Sequence, residues 1–197
     1  LAFLILLGAM AITGALGFVI EKLAYKPLRK SPKLAILITA IGVSLFLEYT
    51  GQLVFGADPK SFPSLLENKP VINLSGAVIG SNPLVVLLTA ALLMFGLRMI
   101  VMKTKIGTAM RAVSYNPTAA SLMGININAV ITFTFIVGSS LAGAAGILYG
   151  LNYPSIDPLM GILPGLKAFV AAVLGGIGNI PGAAIGGMII GLLETFV

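Results

Sequence analysis

Apolar runs long enough to cross a bilayer alternate along this chain with short polar segments. Residues 1–20 carry no charge, and their number matches the roughly 20 residues that one membrane-spanning helix needs. A second run, Leu34 to about Phe55, is interrupted only by Glu48 and Gln52, with Tyr49 between them. A third covers Leu84–Met102 with Arg98 near its end, and a fourth runs from about Ile127 to Leu148. Along the fourth, Gly138, Ala142, Gly146 and Gly150 recur at four-residue spacing and predict a stripe that another helix approaches closely. The pattern predicts an all-α fold, a polytopic integral-membrane helical bundle.

The segments between the runs differ in kind. Gly56–Pro83 contains Pro59, Pro63, Pro70 and Pro83, and its Val71–Ile79 stretch reads as a small hairpin turning at Ser75-Gly76. Leu151–Pro164 carries three further prolines and reads as a second loop on the same, external side. The polar insert Lys103–Asn128 holds a short helix. Asn116 can cap it, Pro117 can open it and Gly124 can close it, giving about two turns. With a nucleation constant of about 10⁻³ such a helix does not persist alone in water, so packing must hold it. Ala119, Leu122 and Met123 give it a small apolar knob.

The last region, Gly165–Val197, is apolar but broken at Gly175-Gly176-Ile177-Gly178-Asn179-Ile180-Pro181-Gly182. Two pieces of about 15 residues result, roughly 22 Å of helix each, against a hydrocarbon core of about 30 Å. A break at membrane depth is tolerated only inside protein or beside a water-filled cavity. A broken or re-entrant helix pair near the C-terminus is therefore expected, with one kinked span as the alternative. The chain opens on Leu1 inside one apolar run and stops at Val197 inside another, so a single transmembrane domain over 1–197, truncated at both ends, is expected.

Composition agrees with a lipid solvent: 58% of residues are hydrophobic, 9% are charged and the mean hydropathy is +1.07. The chain has no Cys and no His, which removes disulfides, thiolate and imidazole metal sites, and Cys or His nucleophiles. No catalytic residue, metal site or cofactor is expected. The net charge of +6 could suggest nucleic acid, but its distribution points elsewhere. Nine of the twelve basic residues fall in two clusters, Lys22, Lys26, Arg29, Lys30 and Lys33 in one and Arg98, Lys103, Lys105 and Arg111 in the other. Short loops rich in Lys and Arg stay on the cytoplasmic side, so both clusters, and the insert with its short helix, are expected there.

Three stretches carry a family likeness: Glu21-Lys22-Leu23-Ala24-Tyr25-Lys26-Pro27-Leu28-Arg29, the Asn116–Asn126 insert, and Lys167-Ala168-Phe169-Val170-Ala171-Ala172-Val173-Leu174-Gly175-Gly176-Ile177-Gly178-Asn179 with Gly182-Ala183 after it. Through them the chain resembles, over nearly its whole length, the permease subunits of bacterial ABC importers for branched-chain amino acids. The resemblance implies a translocation subunit of the inner membrane, not an enzyme. Its partners would be a second permease subunit, cytoplasmic ABC ATPase subunits, an extracytoplasmic amino-acid-binding protein and the lipid bilayer, with no nucleic acid.

The same resemblance makes the short helix a cytoplasmic coupling helix to the ATPase, formed by Asn116, Pro117, Ala119, Ala120, Leu122, Met123 and Gly124. The importer coupling pattern Glu-Ala-Ala-x-x-x-Gly fits at Ala119, Ala120 and Gly124, while Thr118 replaces the glutamate.

Candidates for the translocation path or gate are Glu48, Lys167, Gly175, Gly176, Gly178 and Asn179. Glu48 is an intramembrane carboxylate, either bonded to neighbouring helices or lining a polar path. Lys167 either anchors at the outer interface or pairs with Asp157, or else it meets a binding protein or a substrate carboxylate. The glycines either permit tight packing or break the helix beside the path. A phosphate loop is excluded there, because no Lys-Ser/Thr follows. An ion-coupled secondary transporter or channel for a small polar solute is the competing function. It would ordinarily place several carboxylates inside the membrane, and only Glu48 lies well inside a span.

Overall fold

The computed structural model describes residues 2–63, 70–74, 77–153 and 155–196, which form two compact units, residues 1–156 and 157–197. Among the described residues of the first unit, four helices are long and apolar enough to cross a membrane. They are α1 (Ala2–Ile20, continued by a π-helical turn to Tyr25), α2 (Lys33–Phe55), α3 (Ser81–Lys103) and α6 (Ile127–Asn152). Two shorter helices, α4 (Lys105–Tyr115) and α5 (Pro117–Leu122), fill the polar insert. The second unit is a pair of apolar helices, α7 (Ile162–Leu174) and α8 (Ile180–Phe196).

The most extensive helix packing among the described residues is α1 against α6, and it runs antiparallel along both helices. Gly14 and Gly17 of α1 let the backbones approach: a Cβ on Gly14 would lie 2.4 Å from Ser140 Oγ, and one on Gly17 would lie 2.0 Å from Ser139 Oγ. From the other side, a Cβ on Gly143 would lie 2.2 Å from Thr13 Oγ1. Ala144 is fully buried, and with Leu6 and Leu148 it forms a small core flanked by Met10, Val86 and Leu93.

The seam therefore follows Ser139, Ser140, Gly143 and Ala144, not the expected stripe. Among the described residues nothing lies within 4 Å of a Cβ built on Gly138 or Gly146, and Gly150 faces the Phe62 ring at 3.2 Å. The reason is that hydroxyl side chains serve as small residues at a helix seam just as glycine does. A stripe read from glycine and alanine alone picks the wrong phase.

Short strands tie the loops at one end of this unit. β1 (Lys60–Ser61) pairs antiparallel with β4 (Ser155–Ile156), and Asn82 Nδ2 donates to the Leu151 carbonyl at 3.4 Å. The two proline-rich loops thus share a side, as expected. Within the first loop β2 (Pro70–Leu74) and β3 (Ala77–Gly80) pair antiparallel, with Leu74 opposite Ala77. The expected turn at Ser75-Gly76 lies outside the described residues.

Candidate functional site

The insert begins with a helix that sequence reading did not resolve. Thr104 caps α4: its Oγ1 accepts from Gly107 N at 3.0 Å and donates to the Ile100 carbonyl at 2.6 Å. A Cβ on Gly107 would lie 2.3 Å from the carbonyl oxygens of both Ile100 and Val101, so only glycine lets α4 turn back on the end of α3. The signal in the sequence is the Thr-x-x-Gly spacing at the end of an apolar run.

α5 then follows after one residue. Asn116 Oδ1 accepts from Ala119 N at 3.0 Å, and Pro117 opens the helix without losing a hydrogen bond. At the other end Gly124 N–H donates to Ser121 O at 3.0 Å and Ile125 N–H to Ala120 O at 3.1 Å, with Gly124 at φ +81°. That pair of bonds is the Schellman closure, and its left-handed position suits glycine. Ala120 is turned inward, 4% exposed, while Leu122 and Met123 are 84% and 83% exposed and Ala119 is exposed beside them. Tyr115, at the end of α4, is 94% exposed. Ala120 is thus part of the seat, and the free apolar face is Ala119, Leu122 and Met123.

Next to this insert lies a cluster built around Glu21, a residue that is not among the sequence candidates. Glu21 is 1% exposed, and both of its oxygens are bonded. Arg29 Nη2 donates to Oε1, and Thr132 Oγ1 donates to Oε2 at 2.8 Å. Arg29 Nη1 donates to Asn128 Oδ1. The π-helical turn Glu21–Tyr25, marked by the Lys26 N–H to Glu21 carbonyl bond at 2.8 Å, sets Glu21 against α6, and the Tyr25 ring packs on Phe135 at 4.9 Å. The first span was expected to stop at residue 20; Glu21 and Lys22 extend it because Glu21 finds its partners across the seam. A carboxylate immediately after an uncharged run, followed at eight residues by Arg, was the available signal.

In the second unit, α7 and α8 approach through glycine. A Cβ on Gly175 would lie 2.1 Å from the Gly182 carbonyl carbon, one on Gly182 would lie 2.0 Å from the Gly175 oxygen, and one on Gly186 would lie 2.5 Å from the Ala171 oxygen. The turn itself uses Gly176 at φ +88° and Gly178 at φ +96°. Asn179 caps α8, its Oδ1 accepting from Gly182 N at 3.2 Å. Lys167 Nζ lies 2.5 Å from Glu194 Oε1, the two side chains being 49% and 58% exposed. Glu194 was not among the expected partners of Lys167. The pairing follows from the register: Ala171 opposite Gly186 puts Lys167 near residue 190, and Cβ vectors that lean toward each helix's own N-terminus bring Lys167 and Glu194 together. The structure thus gathers Lys167, Gly175, Gly176, Gly178 and Asn179 on one hairpin. Glu48 belongs to the first unit, in α2, where Ser44 Oγ donates to its Oε1 at 2.8 Å.

Comparison with known proteins places the chain. A family described as the permease component of branched-chain amino acid transport systems matches residues 1–197. The chain is 40% identical over 191 residues to the high-affinity branched-chain amino acid transport system permease protein BraD of Pseudomonas aeruginosa, covering 95% of this chain and 62% of the relative. It is 42% identical over 191 residues, with the same coverage, to LivH of Escherichia coli K12, which has the same description. It is 32% identical over 201 residues to a probable branched-chain amino acid transport permease protein LivH of Methanocaldococcus jannaschii, covering 97% of this chain and 62% of that relative. The chain therefore spans 62% of the length of these relatives. No solved structure matches it. With a match along its whole length, the chain belongs to the family of branched-chain amino acid transport permease components.

Proposed function

We propose that this chain is the membrane-spanning part of a permease subunit in an ATP-driven importer of the bacterial inner membrane. The importer passes leucine, isoleucine or valine delivered by an external binding protein. The observation that carries the reading is the family match over the entire chain, and α5 supplies the physical part. A six-residue helix sealed at both ends, with two large apolar side chains in the open, is suited to receive another protein. Its partner is the cytoplasmic ATPase, and Ala119, Leu122 and Met123 are the docking face. Asn116, Pro117 and Gly124 fix that face, and Ala120 seats it. ATP-driven movement of the ATPases displaces α5, and the bundle converts the displacement into opening toward one side. A second permease subunit completes the path.

The substrate is a zwitterion with an apolar side chain, so its path needs polar points among apolar walls. Glu48 and the Lys167–Glu194 pair supply charges of both signs within otherwise apolar helices. Gly175, Gly176, Gly178 and Asn179 form the break beside the path. The test uses the full-length protein purified with its second permease, ATPases and binding protein, reconstituted in liposomes. ATP hydrolysis should rise when the leucine-loaded binding protein is added, and labelled leucine should enter. Replacing Leu122 and Met123 together by Glu should release the ATPase while the permease still inserts. An ATPase rate indifferent to every loaded binding protein would sink the importer reading.

A further inference from the structure

We infer that Glu21 and Arg29 form a latch through which the segment carrying α5 moves α1 and α6 as one piece. The inference rests on the importer reading and adds to it the positioning residues that join the docking helix to the spans.

One carboxylate and one guanidinium join three stretches of chain: the π-helical turn ending α1, the tight turn Pro27–Lys30, and the first turns of α6 through Asn128 and Thr132. The cluster sits where a displacement of α5 would arrive. Only Met123–Asn126 separate α5 from α6, and their slack is taken up by the Gly124 and Ile125 hydrogen bonds and by Asn126 Oδ1, which accepts from Ala129 N at 3.2 Å. Beyond the latch, Gly14, Gly17 and Gly143 keep the α1–α6 seam too tight for the two helices to slide independently. A push on α5 thus reaches α6 directly, and α1 through Glu21.

The chemistry of the latch fits transmission better than stability. Apolar residues of similar volume often stabilise such a site as well as a buried ion pair does, whereas an ion pair fixes one register of its partners. The extra residue of the π-helical turn sets Glu21 against α6, and such turns recur at functional sites. Arg29 Nε is buried and makes no hydrogen bond among the described residues, so the guanidinium holds a donor for a second arrangement of the same segments.

The test uses the assembled importer in liposomes with leucine-loaded binding protein, and reads leucine transported per ATP hydrolysed. The full chain carries Arg29→Cys and Asn128→Cys, any other cysteine having been replaced. Before bridging, the complex should assemble and hydrolyse ATP, with the ratio lowered about tenfold, the size of an ordinary coupling between sites. After bridging the two thiols with a short bis-maleimide, the same protein should recover most of the ratio. Glu21→Gln should lower the ratio likewise, and Glu21→Asp should lower it less. A normal ratio in the unbridged protein, or a low ratio that bridging leaves unchanged, overturns the latch. So does a double variant that fails to assemble, since the pair would then serve folding alone. Failure of the importer reading looks different: the unmodified complex itself would move no leucine.

Discussion

The insert α4–α5 and the hairpin α7–α8 are both pairs of helices joined by a short connection, yet they hold themselves together by opposite means. α5 is secured by its neighbours in sequence. Its cap is three residues from the amide it receives, and its closing glycine donates three residues back. The hairpin is secured across its turn, by Gly175 against Gly182, Ala171 against Gly186 and Lys167 against Glu194. α5 can therefore turn Leu122 and Met123 outward without losing its own shape, which a docking element requires. The hairpin has used its inner faces on itself, and what it offers its surroundings is an ion pair on an apolar background.

The hairpin should be the easier of the two to break with one substitution. Gly175→Val puts branched carbon where a Cβ would already lie 2.1 Å from backbone atoms of Gly182. Backbone cannot rotate aside, so the cost should reach or exceed the upper end of overpacking, about 3 kcal/mol. Thermal unfolding of the purified protein and leucine uptake should both fall severely. A Gly175→Val protein with unchanged melting and uptake would mean that α7 and α8 do not meet as described.

Gly178→Ala sharpens the same point. Among the described residues nothing beyond its chain neighbours lies within 4 Å of a Cβ built there, so the penalty is that of the backbone alone at φ +96°, about 1–3 kcal/mol. Gly178 and Gly175, both candidates on sequence, should thus separate: the first loses stability modestly and the second loses the fold of the hairpin. Equal effects would show that packing and backbone strain do not divide between them.

In the insert, Asn116→Ala removes one cap and should cost about 1 kcal/mol. That is enough to fray a six-residue helix, and it should appear as weaker retention of the ATPase on purification while the spans insert normally. Retention at the level of the unmodified protein would show that the ATPase, once bound, holds α5 without its cap.

How much of this was legible follows the same division. Asn116, Pro117 and Gly124 form a local code, and α5 could be read from it to within a residue. The four spans could be read because lipid demands length and apolarity, both present in any window. The α1–α6 seam could not, because its phase depends on Ser139 and Ser140 meeting Gly14 and Gly17, more than a hundred residues away. Glu21 is illegible for a similar reason. A carboxylate at the end of a span reads as a boundary, and nothing nearby in sequence announces that Thr132 will bond it. The Lys167–Glu194 pair is hidden in the same way, because its two members stand 27 residues apart across the turn.

The smallest expected effect is also the most discriminating. Lys167 and Glu194 are half-exposed on helices whose neighbouring side chains, Leu166, Phe169, Leu192 and Leu193, are apolar and exposed as well. Ionised groups facing acyl chains are expensive, so this face meets either water in a path or another protein. The two cases differ in energy. Beside water the pair is solvated and screened, and a double-mutant cycle of Lys167→Ala and Glu194→Ala should give a coupling of about 0.2–1 kcal/mol. Against a dry protein partner, Lys167→Ala takes the cation away from Glu194 and should lose roughly 3–5 kcal/mol, while the double variant loses less. The cycle is measured on the assembled complex by thermal unfolding, with uptake followed in parallel. A path predicts weak coupling in stability together with a clear loss of uptake from either single variant. Strong coupling in stability, with uptake falling only as assembly falls, would assign the pair to an interface and leave Glu48 as the candidate charge on the path.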